Sequence, residues 1–488
     1  MEQQQKNLKH RAVAGIFWKL MENGGTQGIT LLVTIILARL IDPANYGVLS
    51  LTVIFTSIAS VFVQRGFSLS LVQKKDADEV DFSSVFFFTL ALAALLYAAL
   101  WFGAPVIAAY YDTPQVQPVL RAISLILLFG SITSIQNARI MRELAFRKRF
   151  IVSVVSTILS GAVGIGMAYL NFGVWALVGQ QLTDSVVMCV GLTIATGWLP
   201  KWKFSFQQLG GLFSFGWKLL ASSLLETLYS DLSGLIIGKR YSTSMLAHYD
   251  KGRRFPQYIG TNLSGAIQAA MFPTFAVAQE DHDRLRTMVR RSVQTSAFVV
   301  FPMITGMAAV ATPLVALALT EKWLPCVPFL QVFCLTFAMY PIDATVLQAI
   351  NALGRSDLYL KLEIAKKIAG ILLICAAVFW LDTPLALAWA LAATAVISVV
   401  FNAIPIKKLI GYRYRDQLKD LLPSLGLSLM MGVAVYAVTL LHLGYWATLG
   451  IQIPLGILLY VGTAFATRQD SMTFLVRSIR EFIYKKRA

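Results

Sequence analysis

The stretch VFFFTLALAALLYAALWFG, residues 85–103, contains no charged side chain. A run of roughly 20 apolar residues is what an α-helix needs to cross the hydrocarbon core of a bilayer. A second such run, IVSVVSTILSGAVGIGMAYL, fills 151–170. Neither alternates apolar with polar residues as a membrane β-strand does, so both predict helices. Composition extends this to the whole chain: of 488 residues 57% are apolar and 14% charged, with a mean hydropathy of +0.66. Soluble domains carry about a quarter charged residues. The fold class is therefore all-α, a polytopic membrane protein.

Walking outward from 85–103, the apolar runs predict about 14 spans, near 13–39, 45–64, 82–103, 117–138, 150–170, 173–197, 210–238, 245–275, 287–311, 326–350, 361–381, 383–405, 420–441 and 444–466. Lys and Arg test this division, because cytoplasmic loops collect them. One set of alternate loops holds only Arg39, Lys239, Arg240 and Lys322. The other set gathers groups such as Arg139, Arg142, Arg147, Lys148 and Arg149, or Arg355, Lys361, Lys366 and Lys367. Both termini are expected in the cytoplasm. The net charge of +17 is then a consequence of topology and does not point to nucleic acid.

Met1 to Arg11 is polar, and no small-residue cleavage site follows, so the first span is expected to stay as an anchor. Cys189, Cys326, Cys334 and Cys375 lie in or beside apolar spans without CxxC or Cys/His spacing. No metal and no cofactor is expected. After the last span, SMTFLVRSIREFIYKKRA (471–488) places apolar residues on one helical face and cations elsewhere, the pattern of an interfacial helix on anionic lipid.

The chain also repeats itself. Trp18-Lys19-Leu20 in the first span recurs as Trp217-Lys218-Leu219 in the seventh, and ARLIDPANYG (38–47) has a counterpart in GKRYSTSMLAHYD (238–250) if a short insertion aligns Tyr46 with Tyr249. IQNARIMRELAFRKRF is echoed by LQAINALGRSDLYLKL. Duplication of six spans predicts two pseudo-symmetric six-helix lobes around a central cavity, 1–206 and 207–410, with two further helices and the tail in 411–488. Matching polar interruptions in the two halves mark the expected cavity lining: Glu22, Asn23 and Gln27 in span one, and Glu226, Tyr229 and Asp231 in span seven. Helix packing through small residues accounts for the glycines and serines there, but poorly for the carboxylates. Those carboxylates are candidates for coupling to H⁺ or Na⁺.

Catalysis finds little support. GxxxxGK[ST], HExxH and GxSxG are all absent, the four histidines are scattered, and the outer loops are short. The chain is not expected to be an enzyme. A membrane glycosyltransferase or polymerase, and a cation-coupled exporter of small amphiphiles, are the alternative readings.

LARLIDPANYGVLS, FPTFAVAQEDHDRLR, LTEKWLPCVPFLQVFC and NALGRSDLYLK, in this order, make the chain resemble the polysaccharide transporter branch of the multidrug/oligosaccharidyl-lipid/polysaccharide flippases, the Wzx-type exporters, with the nearest look to colanic-acid-type members. The resemblance covers most of the chain. It implies a flippase of the bacterial inner membrane that moves an undecaprenyl-pyrophosphate-linked repeat unit to the outer leaflet by alternating access, for surface polysaccharide synthesis. Membrane lipids, a glycan polymerase and export machinery are the partners it implies.

That reading gives a chemical reason for HYDKGRRFPQ (248–257). The related lipid II flippase keeps cations between a tyrosine and a proline at the start of span eight. Here Lys251, Arg253 and Arg254 stand between Tyr249 and Pro256. Lys251 and Arg254, at i and i+3, share a helical face and suit a pyrophosphate or an acidic sugar. An alternative starts the span at Phe255 and leaves YDKGRR as an outer loop. Lys19 and Lys218, near the inner surface, read either as snorkelling side chains or as a cationic ring at the cytoplasmic mouth.

Overall fold

The computed structural model describes residues 24–64, 67–74 and 76–474, with residues 18, 21 and 477. Lys19, Glu22, Asn23 and most of the tail after 474 lie outside the described residues, and with them the expectations placed there. The first described part of the chain runs through α1 (Gly24–Leu40), α2 (Pro43–Gln64), α3 (Phe67–Gln73), α4 (Glu79–Tyr110), α5 (Val116–Ile123), α6 (Ile126–Glu143), α7 (Phe146–Tyr169) and α8 (Val174–Thr196). Two 35-residue helices follow, α9 (Phe206–Arg240) and α10 (Thr243–Val277). The remainder is α11 (His282–Ala309), α12 (Ala311–Leu319), a 3₁₀ turn (Glu321–Cys326), α13 (Val327–Ala352), α14 (Ser356–Trp380), α15 (Pro384–Ile410), α16 (Tyr414–Ala437) and α17 (Tyr445–Ala466). No strand occurs among the described residues.

Ten helical segments among the described residues are long and apolar enough to cross a membrane. The long helices that miss this description are α9, α10 and α14: charged residues interrupt α9 and α14, whereas α10 confines its charges to Asp250–Arg254 and follows them with uncharged polar residues such as Gln257, Asn262 and Gln268. Local chemistry sets the boundaries. Pro43 and Pro384 open α2 and α15, where a missing N–H costs nothing. Gly197 and Gly411 close α8 and α15 with left-handed φ of +65° and +71°. Asp78 caps α4 by accepting from the Asp81 backbone N–H, and Asp81 returns the bond to Asp78 N–H.

Contacts divide the chain into Met1–Ala247 and His248–Ala488. In the first unit α7 lies along α8, α6 packs on α8, and α4 on α6. The α7–α8 approach is close because small residues face it: a side chain on Gly164 would begin 2.9 Å from Gln180 Cβ, and one on Gly191 2.6 Å from Val152. The second unit repeats this order, α14 along α15, α13 on α15, and α11 on α13. The hairpins at the head of each half match too. Two residues separate α1 from α2, two separate α9 from α10, and α2 and α10 begin at Pro43 and Thr243. The helices therefore need no insertion between the two copies. Because α9 packs on α2, α3 and α4, the contact boundary falls inside α10, whereas the expected lobes follow helix order.

Polar contacts staple the ends where the basic loops lie. In the first unit Lys74 Nζ reaches the fully buried Asp81 at 2.6 Å, and Glu79 accepts from Arg139 at 3.3 Å and from Trp198 Nε1 at 2.8 Å. In the second, Asp420 of α16 accepts from Arg290 of α11 at 2.6 and 2.8 Å, from Gln294 and from the Tyr412 hydroxyl. Further along the same pair of helices, α17 joins them when the Tyr460 hydroxyl donates to Phe298 O at 2.7 Å.

Candidate functional site

The two helices with polar faces carry most of the expected site. The stretch 248–257 lies inside α10, not in a loop. Lys251 is eight residues past Thr243 and Arg254 eleven, so they stand about 12 and 16 Å along the helix. Their expected common face is split. His248, Tyr249, Lys251, Gly252, Pro256 and Gly260 are buried, Arg253 is half-buried, and Arg254 is exposed with Tyr258 and Asn262 beyond it.

Packing on α13 decides which side is buried. A side chain on Gly252 would begin 2.7 Å from Phe329 Cβ and 2.8 Å from Cys326 O, and one on Gly260 2.9 Å from Phe337 Cβ. These eight-residue-spaced glycines bring the helices together, and Tyr249 fits edge-on to Phe329 and Phe333 with centroids 5.9 and 5.2 Å away. Lys251 is drawn into the same contact. Its Nζ lies 5.3 Å from the centroid of Trp323, a fully buried ring that also packs edge-on against His248.

On α9, Lys218, Glu226 and Tyr229 fall within an arc of about 80°. Lys218 and Glu226 are exposed and Tyr229 is half-buried. Asp231 points elsewhere, toward α2, where it accepts from Ser57 Oγ at 2.8 Å. The structure thus separates Asp231 from the polar stripe with which the sequence grouped it. On α1, Gln27 is half-buried beside Gly24 and Gly28, which face open space. Neither Lys218 nor Arg254 makes a hydrogen bond or ion pair among the described residues.

Asp343, like Asp184 a weaker cavity candidate in the sequence, belongs to a cluster whose other members sequence reasoning missed. Lys366, counted with a cytoplasmic loop, is instead buried ten residues into α14, about 15 Å from its start. Its Nζ donates to Asp343 of α13 at 3.1 Å and to Glu363 at 2.9 Å, and Asn402 of α15 donates to Asp343 at 2.7 Å. The i, i+3 spacing of Glu363 and Lys366 was the one local signal. In the first unit Asp184 accepts from Ser156 Oγ at 2.7 Å, a half-buried carboxylate between α7 and α8. No group of His, Cys, Asp and Glu among the described residues suits a metal.

Two contact units with matching helix order, and polar helices among apolar ones, define a multi-pass membrane protein of transporter architecture. Solved structures share the fold. The lipid II flippase MurJ in an inward closed conformation aligns with a TM-score of 0.75 over 93% of this chain and 99% of that one, at 14% identity. An inward-facing multidrug resistance MATE family transporter aligns with 0.59 over 79% and 95%. The polysaccharide biosynthesis protein family model matches residues 36–328. The chain belongs to that family. Among curated relatives, the succinoglycan biosynthesis transport protein ExoT of Rhizobium meliloti (strain 1021) is 23% identical over 69% of this chain and 68% of its own. The lipopolysaccharide biosynthesis protein WzxC of Escherichia coli (strain K12) is 22% identical over 74% of each, and the teichuronic acid biosynthesis protein TuaB of Bacillus subtilis (strain 168) 22% over 79% and 80%.

Proposed function

We propose that this chain is a flippase that carries lipid-linked oligosaccharide repeat units across the bacterial inner membrane by alternating access, for the synthesis of a surface polysaccharide. It crosses the membrane fourteen times with both termini cytoplasmic, in lobes 1–206 and 207–410 with two added helices, and it transports without catalysis. The lipid carrier is undecaprenyl pyrophosphate, and polymerase and export machinery receive the product.

The observation that supports this most is Arg254, exposed on a helix of a membrane fold and without an ion partner among the described residues; in the other unit Lys218 is exposed on α9 in the same way. Lipid penalises such faces, so they belong against water or an anion. Arg offers a planar fork to phosphate oxygens and Lys a point charge. Lys251, clamped under Trp323, is buried away from any substrate that meets Arg254. The exporter of cationic amphiphiles would need an acidic group in place of Arg254.

The test places the wild type, a Lys218→Ala/Arg254→Ala variant and an Arg254→Lys variant in a strain lacking its own flippase, with membrane levels matched. Each lost charge-assisted contact is expected to cut surface polysaccharide about tenfold, with the lipid-linked intermediate held on the cytoplasmic side and partial recovery in Arg254→Lys. Unchanged export by the double variant would overturn the assignment of an anion-binding role to Arg254 and to Lys218.

A further inference from the structure

At the end of the first unit where α1 meets α2, α4 meets α5 and α7 meets α8, a cavity of about 220 Å³ opens. On the orientation proposed above this end is extracytoplasmic. Asn45 from the first turn of α2, Gln115 at the head of α5, and Asn171, Phe172 and Trp175 from the α7–α8 turn line it. No charged residue does.

Three backbone N–H groups of the α7–α8 turn are satisfied without these side chains. Asn171 N–H donates to Ala168 O, Phe172 N–H to Met167 O and Trp175 N–H to Phe172 O, at 3.0, 3.1 and 3.1 Å. The turn closes through two left-handed residues, Asn171 at φ +60° and Gly173 at φ +57°. Gly173 also lets the Asn45 amide come within 3.5 Å of where a side chain would start. Gln115, at the N-cap of α5, makes no side-chain capping bond. Among the described residues none of the three carboxamides makes a side-chain hydrogen bond, and neither aromatic ring has a ring partner. Phe172 and Trp175 are nevertheless 51% and 39% exposed.

Three carboxamides, Asn45 half-buried and Gln115 and Asn171 exposed, line one uncharged cavity together with two exposed aromatic rings, and the set matches one ligand chemistry. Carboxamides both donate and accept, as hydroxyl and acetamido groups require. Aromatic faces cover the C–H face of a sugar ring and exclude water from it. An interfacial aromatic belt explains exposed rings alone, but not amides converging with them on a cavity.

A second cavity, of about 340 Å³, adjoins the first across Pro118, which lines both. Arg121 lines it, with its guanidinium carbon 4.8 Å over the Trp101 ring and no ion pair among the described residues. Arg121 Nε donates to Trp101 O at 3.2 Å, and the remaining guanidinium donors suit an anionic group. Beside it α4 presents exposed Phe102 and Val106, a surface suited to acyl chains.

We infer that the cavity of Asn45, Gln115, Asn171, Phe172 and Trp175 is an outer-face subsite for an uncharged sugar ring of the repeat unit, held next to a phosphate-binding position at Arg121. This rests on the flippase reading and extends it to where the glycan stands after crossing.

Saturation-transfer NMR on the purified full-length protein tests it, using two probes. One is free oligosaccharide released from the surface polysaccharide of the source strain, and the other the same oligosaccharide on its pyrophosphate lipid. Transfer to sugar C–H protons is expected in the wild type, lost at least tenfold in Trp175→Ala/Gln115→Ala and retained in Trp175→Phe. Arg121→Ala is expected to leave the free sugar signal unchanged and to weaken only the lipid-linked probe, which separates recognition of sugar from recognition of phosphate. No transfer in the wild type, or equal transfer in Trp175→Ala/Gln115→Ala, would overturn the subsite. Complementation of the flippase-deficient strain by wild type, run in parallel, judges the flippase reading separately: export without sugar binding removes the subsite alone, and sugar binding without export removes the reading on which it rests.

Discussion

Lys366 shows what a buried charge costs and what offsets it. Its side chain is 7% exposed and lies between two carboxylates, with Asn402 completing the coordination of Asp343. Desolvating these groups is costly, and their attraction repays it only while all partners stay in place. Lys366→Met is therefore expected to destabilise the protein by about 3–5 kcal/mol, because it strands two carboxylates in a low-dielectric contact. Lys366→Met/Asp343→Asn should cost less than the sum of the single changes, since each removes the other's unpaired charge. Thermal unfolding of the four proteins in detergent reads the difference, and strictly additive losses would show that the pair is not coupled. The pair was invisible in the sequence for a physical reason. Its members are 23 positions apart and Asn402 is 59 from Asp343, so only the packing of α13, α14 and α15 brings them together.

At the scale of the element, α10 is governed by which of its faces meets α13. A helical wheel puts Lys251 and Arg254 only about 60° apart and cannot say that the contact runs between them. The glycines decide it, and their function shows only when the partner helix is present. Gly252 and Gly260 have no room for a side chain, while Gly265, thirteen residues past Gly252, faces open space. Gly252→Val would drive α10 from α13, and overpacking of this kind costs about 1–3 kcal/mol or more. Gly265→Ala should be neutral or slightly stabilising, as alanine is the better helix former. Melting temperatures that fall equally for both variants would mean that the close contact lies elsewhere. The same logic explains the split between what hydropathy could and could not read here. Apolar runs locate α2, α4, α7 and α8 from composition alone, but α9 and α10 combine a packed face with a polar one. Their character therefore depends on neighbours that a window of sequence does not contain.

For the whole molecule, topology is the property that the sequence constrains most tightly and that α9 and α10 make contestable. Both helices are polar enough to miss a purely apolar description, and removing the pair would leave every other loop on its expected side. The loop between them is therefore the deciding position. On the proposed orientation, if they cross, Ser242 at that loop faces outward together with Pro114 and Asp382, while Asp76, Lys201 and Glu280 face the cytoplasm. If they lie on the inner surface, Ser242 joins the second group and the other assignments are unchanged. The native cysteines are Cys189, Cys326 and Cys334, which are buried, and the exposed Cys375, so replacing all four gives a background for labelling. Single cysteines at the six loop positions, treated with a membrane-impermeant maleimide in intact cells, should be modified at 114, 242 and 382 and protected at 76, 201 and 280 until the membrane is opened. Cell-surface labelling at 242 is the outcome that two long helices with matched two-residue connections, begun at Pro43 and Thr243, require of a duplicated fold. Protection at 242 with labelling at 114 and 382 would leave twelve crossings and put Arg254 on the cytoplasmic side, ending its assignment as a group within the bilayer.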